Sequence, residues 1–231
     1  MKQALPVTAL FVDIGGVLLN DGWDHIARRK VAKHFKLEWA EMEARHHLTF
    51  ETHEEGKLTF EEYLGLVVFH QKRPFTRTDF RRYMCQLSTS FPEMIELIGH
   101  LKVRYGLKIV VVSNEARVVN DYRIHKFKLD DFVDTFISSC YVHIRKPDAD
   151  IFRLALDISQ TSARQVVYIE NTPMFVQIAE GLGIRSILHT DYKSTRAKLA
   201  SFGLNIGEPV KPKKAISQPI MTTKAVHPRI K

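Results

Sequence analysis

Four short groups of residues in this chain have the types and neighbours that chemistry needs. The first is Asp13, which ends an apolar run over 7–12 and is followed by the glycine pair Gly15 and Gly16. A carboxylate so placed can act as a nucleophile or a metal ligand, and glycines beside it let backbone approach whatever it touches. An Asp after a strand could equally cap a helix or open a turn, so partners elsewhere must decide. Ser113 and Asn114 offer a hydroxyl, an amide and backbone N–H groups at a predicted helix start, which suits an anion, although the same pair would also serve as an N-cap. Lys146 lies in the loop RKPDADIF, where it could pair with a carboxylate and a bound anion; a lone loop lysine is ordinarily solvated. Glu170 and Asn171 follow VVYI, and an acid with an amide there could hold a divalent cation through oxygen or simply form a turn.

These groups can meet only if the elements before them end on one edge. The run before Asp13 predicts a strand buried on both faces, with Asp13 at its carboxyl end, where open α/β sheets bind ligands. From about residue 24 to 87 the apolar spacing changes to three and four, as in Ile26, Val31 and Phe35, which predicts three or four helices. Thr59 and Glu62 match a capping box, with Gly56 closing the element before it. From Pro92 onward helices and strands alternate: a helix ending near Tyr105 with Gly106 as its cap, a strand over 107–112 and a helix over 116–127. A short strand over 135–138, a helix over 148–157 and a strand over 165–169 follow. The next helix has Thr172 as N-cap and Pro173 at its first position, and a strand over 184–188 precedes a last helix ending before Gly203. Alternation of this kind implies an α/β architecture: a Rossmann-like parallel sheet with helices on both faces and an inserted helical cap. The core is expected over 1–20 and 91–204, the cap over 21–90.

In order and context the four groups resemble the motifs of the haloacid dehalogenase-like hydrolase superfamily: FVDIGGVL, VVVSNEA, RKPDADIF and VVYIENTPMF. The resemblance extends from about residue 7 to 202, and the helical insertion, including GKLTFEEYL, looks like the cap of subfamily I members. It implies that Asp13 attacks the substrate to form a covalent aspartyl intermediate, that Ser113 hydrogen-bonds the transferring group, and that Lys146 orients Asp13 and offsets developing charge. Asn114 and Gly16 are expected to help bind substrate. A transferring phosphoryl group needs in-line positioning and donor density more than covalent help, which suits such a set. A cap would exclude water and select substrate. The implied activity is phosphatase chemistry on a small phosphorylated metabolite, with magnesium held by Asp13, the Gly15 carbonyl, Glu170 and Asn171.

The chain departs from the family pattern twice. Most phosphatases of the family have a second Asp two residues after the nucleophile, which protonates the leaving oxygen and later activates water; here Gly15 stands there. Loss of such a group costs about 10²- to 10⁴-fold. Some sugar-phosphate phosphatases of the family also have Gly at this position. Two acids are usual where Glu170 and Asn171 stand, so a weakened magnesium site is expected, since magnesium prefers anionic oxygens. Two other readings follow from these departures: a catalytically impaired member kept for binding or regulation, or a metal-independent dehalogenase-like hydrolase. Dehalogenases proper also have an Asn in this region, but carry an aromatic residue in place of Gly15.

Other residues read more plainly. His46, His47 and His53 have no established metal-ligand spacing. Trp23, Asp21 and Asp24 could line the substrate entrance, although packing or a turn at Asn20-Asp21-Gly22 explains them as well. Phe60, Tyr63 and Phe69 read as cap core. The chain has 231 residues, 45% of them apolar, enough for one core and an inserted subdomain. No run approaches the length of about 20 residues that spans a bilayer, and no secretory leader is evident, which predicts a cytosolic protein with no membrane contact. Cys85 and Cys140 are expected as buried thiols without a disulfide. Much of the net charge of +8 lies in the segment 205–231, with six Lys or Arg against Glu208, and four prolines. That segment reads as an extended or disordered basic tail; no aromatic residues interleave with its charges, so nucleic acid is not expected as a partner. The oligomeric state is expected to be a monomer or a homodimer.

Overall fold

The structure, a computed structural model, describes residues 5–207. Strand β1 (Ala9–Val12) is followed by five helices, α1 (His25–His34), α2 (Trp39–His47), α3 (Phe50–Glu54), α4 (Phe60–Val67) and α5 (Arg77–Gln86). Then come α6 (Pro92–Tyr105), β2 (Lys108–Ser113), α7 (Arg117–Lys126), β3 (Thr135–Ser138) and the short α8 (Ser139–Val142). Last are α9 (Asp150–Ser159), β4 (Val166–Glu170), α10 (Pro173–Gly181), β5 (Arg185–Leu188) and α11 (Tyr192–Ser201). The five strands form one parallel sheet in the order β3-β2-β1-β4-β5.

Every residue of β1 and β4 is buried, as their near-continuous apolar sequences require of strands covered on both faces. Leu10 and Val12 face one apolar layer with Leu97, Ile98 and Leu101 of α6 and Leu199 of α11. Ala9 and Phe11 face the other, with Phe152 of α9 and Ala179 of α10. The chain steps from β1 to β2 and β3 on one side and to β4 and β5 on the other. The carboxyl end of β1 is thus the point where the winding reverses, which opens a crevice. In register, Val12 lies beside Val111 and Ile169, so Asp13, Ser113 and Glu170 emerge on three neighbouring strands.

Helices α1–α5 have an apolar core of their own around Val31, Tyr63, Leu64, Phe80 and Met84. There are five of them, not three or four. The Thr49 hydroxyl donates to the carbonyls of Arg45 and His46 and ends α2 just before α3 starts, a break that apolar spacing does not display. Both Thr59 and Thr76 form capping boxes, with Glu62 and Asp79. This helical layer is tied to the sheet's edge by Arg145, which pairs with Glu51 at 3.0 Å and Glu54 at 2.9 Å. Ser139 of α8 adds a second tie, donating to Glu54 O at 2.7 Å and accepting from Glu115 N at 3.0 Å.

Two crossings join the helical layer to the sheet, and Asn20 clamps both: its amide donates to Leu87 O at 3.1 Å and accepts from Thr89 N at 2.8 Å. The wholly buried Arg123 of α7 donates to Asn20 O and pairs with Glu115. Cys85 and Cys140 are buried and unbridged. Among the described residues no helix is long and apolar enough to cross a membrane. Of the predicted basic tail, residues 208–231 lie outside the described residues. Asn205 itself is pinned, its N–H and carbonyl both bonded to the Tyr105 hydroxyl at 2.9 Å.

Removing one partner of a buried pair strands the other charge, at a cost of about 3–5 kcal/mol. Arg123→Ala should therefore lower unfolding free energy in urea by about that much, and Arg123→Met with Glu115→Gln should recover most of it. Equal losses in the single and double variants would show that the pair is not what holds the crossing.

Candidate active site

At the carboxyl edge of the sheet lies a cavity of about 330 Å³ between the strand ends and the helical layer. Asp13, Gly15, Ser113, Asn114, Lys146 and Asn171 border it from the sheet side, so six of the eight sequence-predicted site residues meet there. Glu170 and Gly16 do not line it. Glu170 stands behind Lys146, wholly buried. Gly16 borders two neighbouring grooves instead. Its φ of 69° belongs to the left-handed region, and a Cβ there would fall 1.9 Å from Asn171 Nδ2, so glycine is what lets the Asn171 amide approach.

Lys146 is the hub. Its ammonium, with 1% of the side chain exposed, lies 2.7 Å from Glu170 Oε2 and 3.2 Å from Asp13 Oδ2. It also donates to the Tyr168 hydroxyl at 3.2 Å and sits 4.9 Å from the centre of the Phe175 ring. Tyr168 in turn donates to Glu170 Oε2, while Glu170 Oε1 accepts from Thr172 N at 2.8 Å. The loop bearing Lys146 is fixed by a reciprocal pair: Asn114 donates to Lys146 O and accepts from Lys146 N, both at 2.8 Å. The Asn114 side chain is therefore engaged in positioning Lys146, while the residue still borders the cavity. Asp13 Oδ1 accepts from Ile14 N at 2.8 Å.

One ammonium shared by two carboxylates decides their proton affinities. Burial works against charge on Lys146, yet Asp13 and Glu170 outweigh it and hold the ammonium above its ordinary range. Burial likewise opposes charge on Glu170, but the close Lys146 holds it below the usual carboxylate range. Asp13 receives the longer contact. Burial first and Glu170 second push it up to about 7, against Lys146 and the Ser113 hydroxyl. Burial drives Tyr168 far above its usual value, so it stays a neutral donor.

Beyond Ser113 and Asn114, α7 has Ala116 at its N-cap with no side-chain cap, and Ala116 borders the cavity, so an anion there could take the first N–H groups of the helix. For a cation, Asp13, the Gly15 carbonyl and the Asn171 amide supply hard oxygens of the type magnesium takes, beside a negative excess that one ammonium leaves uncompensated. The donors fit magnesium, with Asp13 the one anionic oxygen donor among them. With both oxygens of Glu170 engaged, that residue would reach the ion through water. Among the described residues, no three His, Cys, Asp or Glu gather as a metal-holding group.

The helical layer supplies the opposite wall, including Trp23, Arg28, His46, His47, Phe50 and Glu54. Trp23, Asp21 and Asp24 do border the cavity, and Asp24 also caps α1 through Ala27 N at 2.7 Å. Tyr63 is cap core, as its spacing implies, but its hydroxyl accepts from Trp23 Nε1 at 2.7 Å and meets His46 Nδ1 at 2.8 Å, which fixes both on the wall. Burial, with Arg28 nearby, pushes His46 down to about 3, and burial also lowers His53; both are neutral rings rather than cations. Arg28 is held by Glu43 at 2.6 Å. Sequence reasoning passed over Tyr168 and the pair Glu54–Arg145. The first had one signal, a tyrosine two residues before Glu170 on the same strand face; the second, joining residues far apart in the chain, had none.

A family model described as haloacid dehalogenase-like hydrolase matches residues 7–213. A drimenol cyclase of Aspergillus calidoustus is 28% identical over 193 residues, covering 79% of this chain but 34% of the cyclase, so the chain spans about a third of that relative's length. Among solved structures, a HAD family enzyme of Bacteroides thetaiotaomicron, crystallised with magnesium and inorganic phosphate, aligns with a TM-score of 0.67 at 18% identity, over 78% of this chain and 93% of that one. A HAD-like hydrolase of Porphyromonas gingivalis aligns with a TM-score of 0.66 at 21% identity, over 79% and 91%. On the extent of the family match and the shared sheet, the chain belongs to the haloacid dehalogenase-like hydrolases.

Proposed function

We propose that this hydrolase cleaves a small phosphorylated metabolite, with Asp13 as nucleophile and a covalent aspartyl-phosphate as intermediate. The observation that carries the reading is the placing of Asp13 at the end of β1, 3.2 Å from Lys146, on the wall of a cavity next to the uncapped start of α7. In such a site the Asp13 carboxylate attacks phosphorus in line. Lys146 and the N–H groups of α7 stabilise charge on the transferring oxygens, with the Ser113 hydroxyl beside them. Magnesium, where bound, would neutralise the charge on Asp13 and on the phosphoryl oxygens. The magnesium and phosphate reported with the Bacteroides enzyme support this reading. Trp23, Phe50 and Phe175 give the cavity apolar surfaces against which a small organic group can pack, and its size suits a metabolite rather than a polymer. A cytosolic setting is the natural one for two unbridged thiols.

A second reading, a binding or regulatory protein without turnover, is favoured by one pair of observations: Gly15 has no side chain and Asn171 is neutral. Ligand-dependent thermal shifts without hydrolysis of any phosphomonoester would select it.

Asp13→Asn should abolish turnover across a phosphomonoester panel while the circular dichroism spectrum is unchanged; wild-type rates in that variant would overturn the mechanism. The same substitution should report on stability. A carboxyl raised from 3.8 to about 7 in the folded state holds its proton where the unfolded chain releases it, so stability falls as pH rises from about 4 through 7. The melting temperature of metal-free Asp13→Asn should therefore exceed that of wild type by a margin that grows between pH 5 and pH 8; a constant margin would contradict the assigned burden on Asp13. Asn171→Asp adds an anionic oxygen, and the magnesium concentration giving half-maximal activity should fall about tenfold in it. An unchanged magnesium requirement would remove Asn171 from the metal site.

A further inference from the structure

Cleaving a phosphomonoester releases an alkoxide, a poor leaving group unless it is protonated as the bond breaks. Gly15 has no group to supply that proton, and Asp13 is occupied by the attack. Five carboxylates border the cavity: Asp13, Asp21, Asp24, Glu54 and Glu115. Four have partners. Asp13 is bound by Ile14 N and Lys146, and Asp24 caps α1. Glu54 pairs with Arg145, and Glu115 with Arg123. Asp21 is the fifth, exposed to the cavity, and no hydrogen bond or ion pair to its carboxylate occurs among the described residues.

Its position is specific. A Cβ built on Gly15 would lie 3.0 Å from Asp21 Oδ1, so the Asp21 carboxylate occupies the space into which a side chain at position 15 would extend. The backbone beneath it is held on both sides. Asn20 clamps the crossing through Leu87 and Thr89, and Arg123 binds Asn20 O. A Cβ on Gly22 would fall 2.4 Å from Arg123 Nη1, so the guanidinium packs directly under the residue after Asp21. A free carboxylate on a fixed backbone, beside the nucleophile's loop, is what proton transfer requires.

We propose that Asp21 is the general acid and base of this site, acting from the crossing in place of the missing side chain at Gly15; the proposal rests on the phosphatase reading above. In the first step Asp13 forms its bond to phosphorus, the bond from phosphorus to the substrate oxygen breaks, and protonated Asp21 gives its proton to that oxygen, releasing the alcohol. In the second, water attacks phosphorus, Asp21 carboxylate takes the water's proton, and the bond from phosphorus to the Asp13 oxygen breaks. Inorganic phosphate leaves, and Asp13 carboxylate and protonated Asp21 are restored.

The test compares an alkyl phosphomonoester with p-nitrophenyl phosphate, whose leaving group needs no proton. Asp21→Asn should lose about 10²- to 10⁴-fold in kcat/KM on the alkyl ester and far less on the aryl ester. With the aryl ester it should release a burst of nitrophenol stoichiometric with enzyme and accumulate phosphoenzyme, because water activation is lost as well. Asp21→Ala should behave alike, and adding Gly15→Asp to Asp21→Ala should restore alkyl-ester turnover, since the space is then free. Equal losses on both esters without a burst, or no rescue in a double variant that melts like wild type, would overturn the role of Asp21 while leaving the phosphatase reading intact. A wild-type enzyme with neither turnover nor phosphoenzyme would instead overturn that reading, and the role of Asp21 with it.

Discussion

The site depends on a shortage of positive charge. Two carboxylates, Asp13 and Glu170, are buried around the single ammonium of Lys146, in surroundings where each ion has lost most of its hydration. The ammonium cannot satisfy both equally, and the distances show the division: 2.7 Å to Glu170, 3.2 Å to Asp13. Glu170, with Tyr168 and Thr172 N as further donors, is fully satisfied and serves to hold the lysine. Asp13 is left incompletely compensated, on the cavity wall, where an electrophile or a cation would relieve it. On the proposed reading of Asp13 as nucleophile, geometry alone makes the group reactive, and the folded protein bears the cost locally.

Everything around that triad keeps Lys146 from moving toward a more even arrangement. The reciprocal Asn114 bonds fix the loop from β2, and Phe175 closes the side toward α10. The parallel register places Val12, Val111 and Ile169 side by side, so an error of one residue in any strand would turn a site group toward the apolar layers. The uninterrupted apolar cores on both faces of β1 and β4 make such slippage expensive, since these strands contain little else to bury. The core thus does more than stabilise: it sets the spacing on which the sharing of one ammonium depends.

Much of this was legible in the chain because it is local. The apolar run before Asp13, the Thr59–Glu62 capping box, Gly106 at the end of α6 and Pro173 at the start of α10 each act within one turn or strand, and each has the structure its chemistry implies. What was not legible is relational. Asn114 has the same sequence signature whether or not it braces a loop, and only its distance to Lys146 shows that it does. The division of α2 from α3 rests on a hydroxyl turning back to two carbonyls, which leaves the apolar pattern untouched. Asp21 reads either as a turn residue between Asn20 and Gly22 or as part of the substrate entrance; that it ends beside Gly15 follows from how the crossing folds back, a property of the assembled core.

The placing of Asp21 has a consequence for how the two layers work together. An acid at position 15 would belong to the sheet and keep its aim whatever the helical layer did. An acid on the crossing belongs to both layers, since its backbone is anchored to the sheet layer through Arg123 and to the exit crossing through Asn20, while α1 begins four residues later. A motion that lifts the helices from the cavity would have to pass through this segment. Arg145 and Ser139 resist that motion on the far side of the cavity, leaving the crossing as the place where opening and closing would concentrate. Proton donation would then be correctly aimed only when the helical layer is seated and water is excluded, which ties chemistry to closure without any further residue.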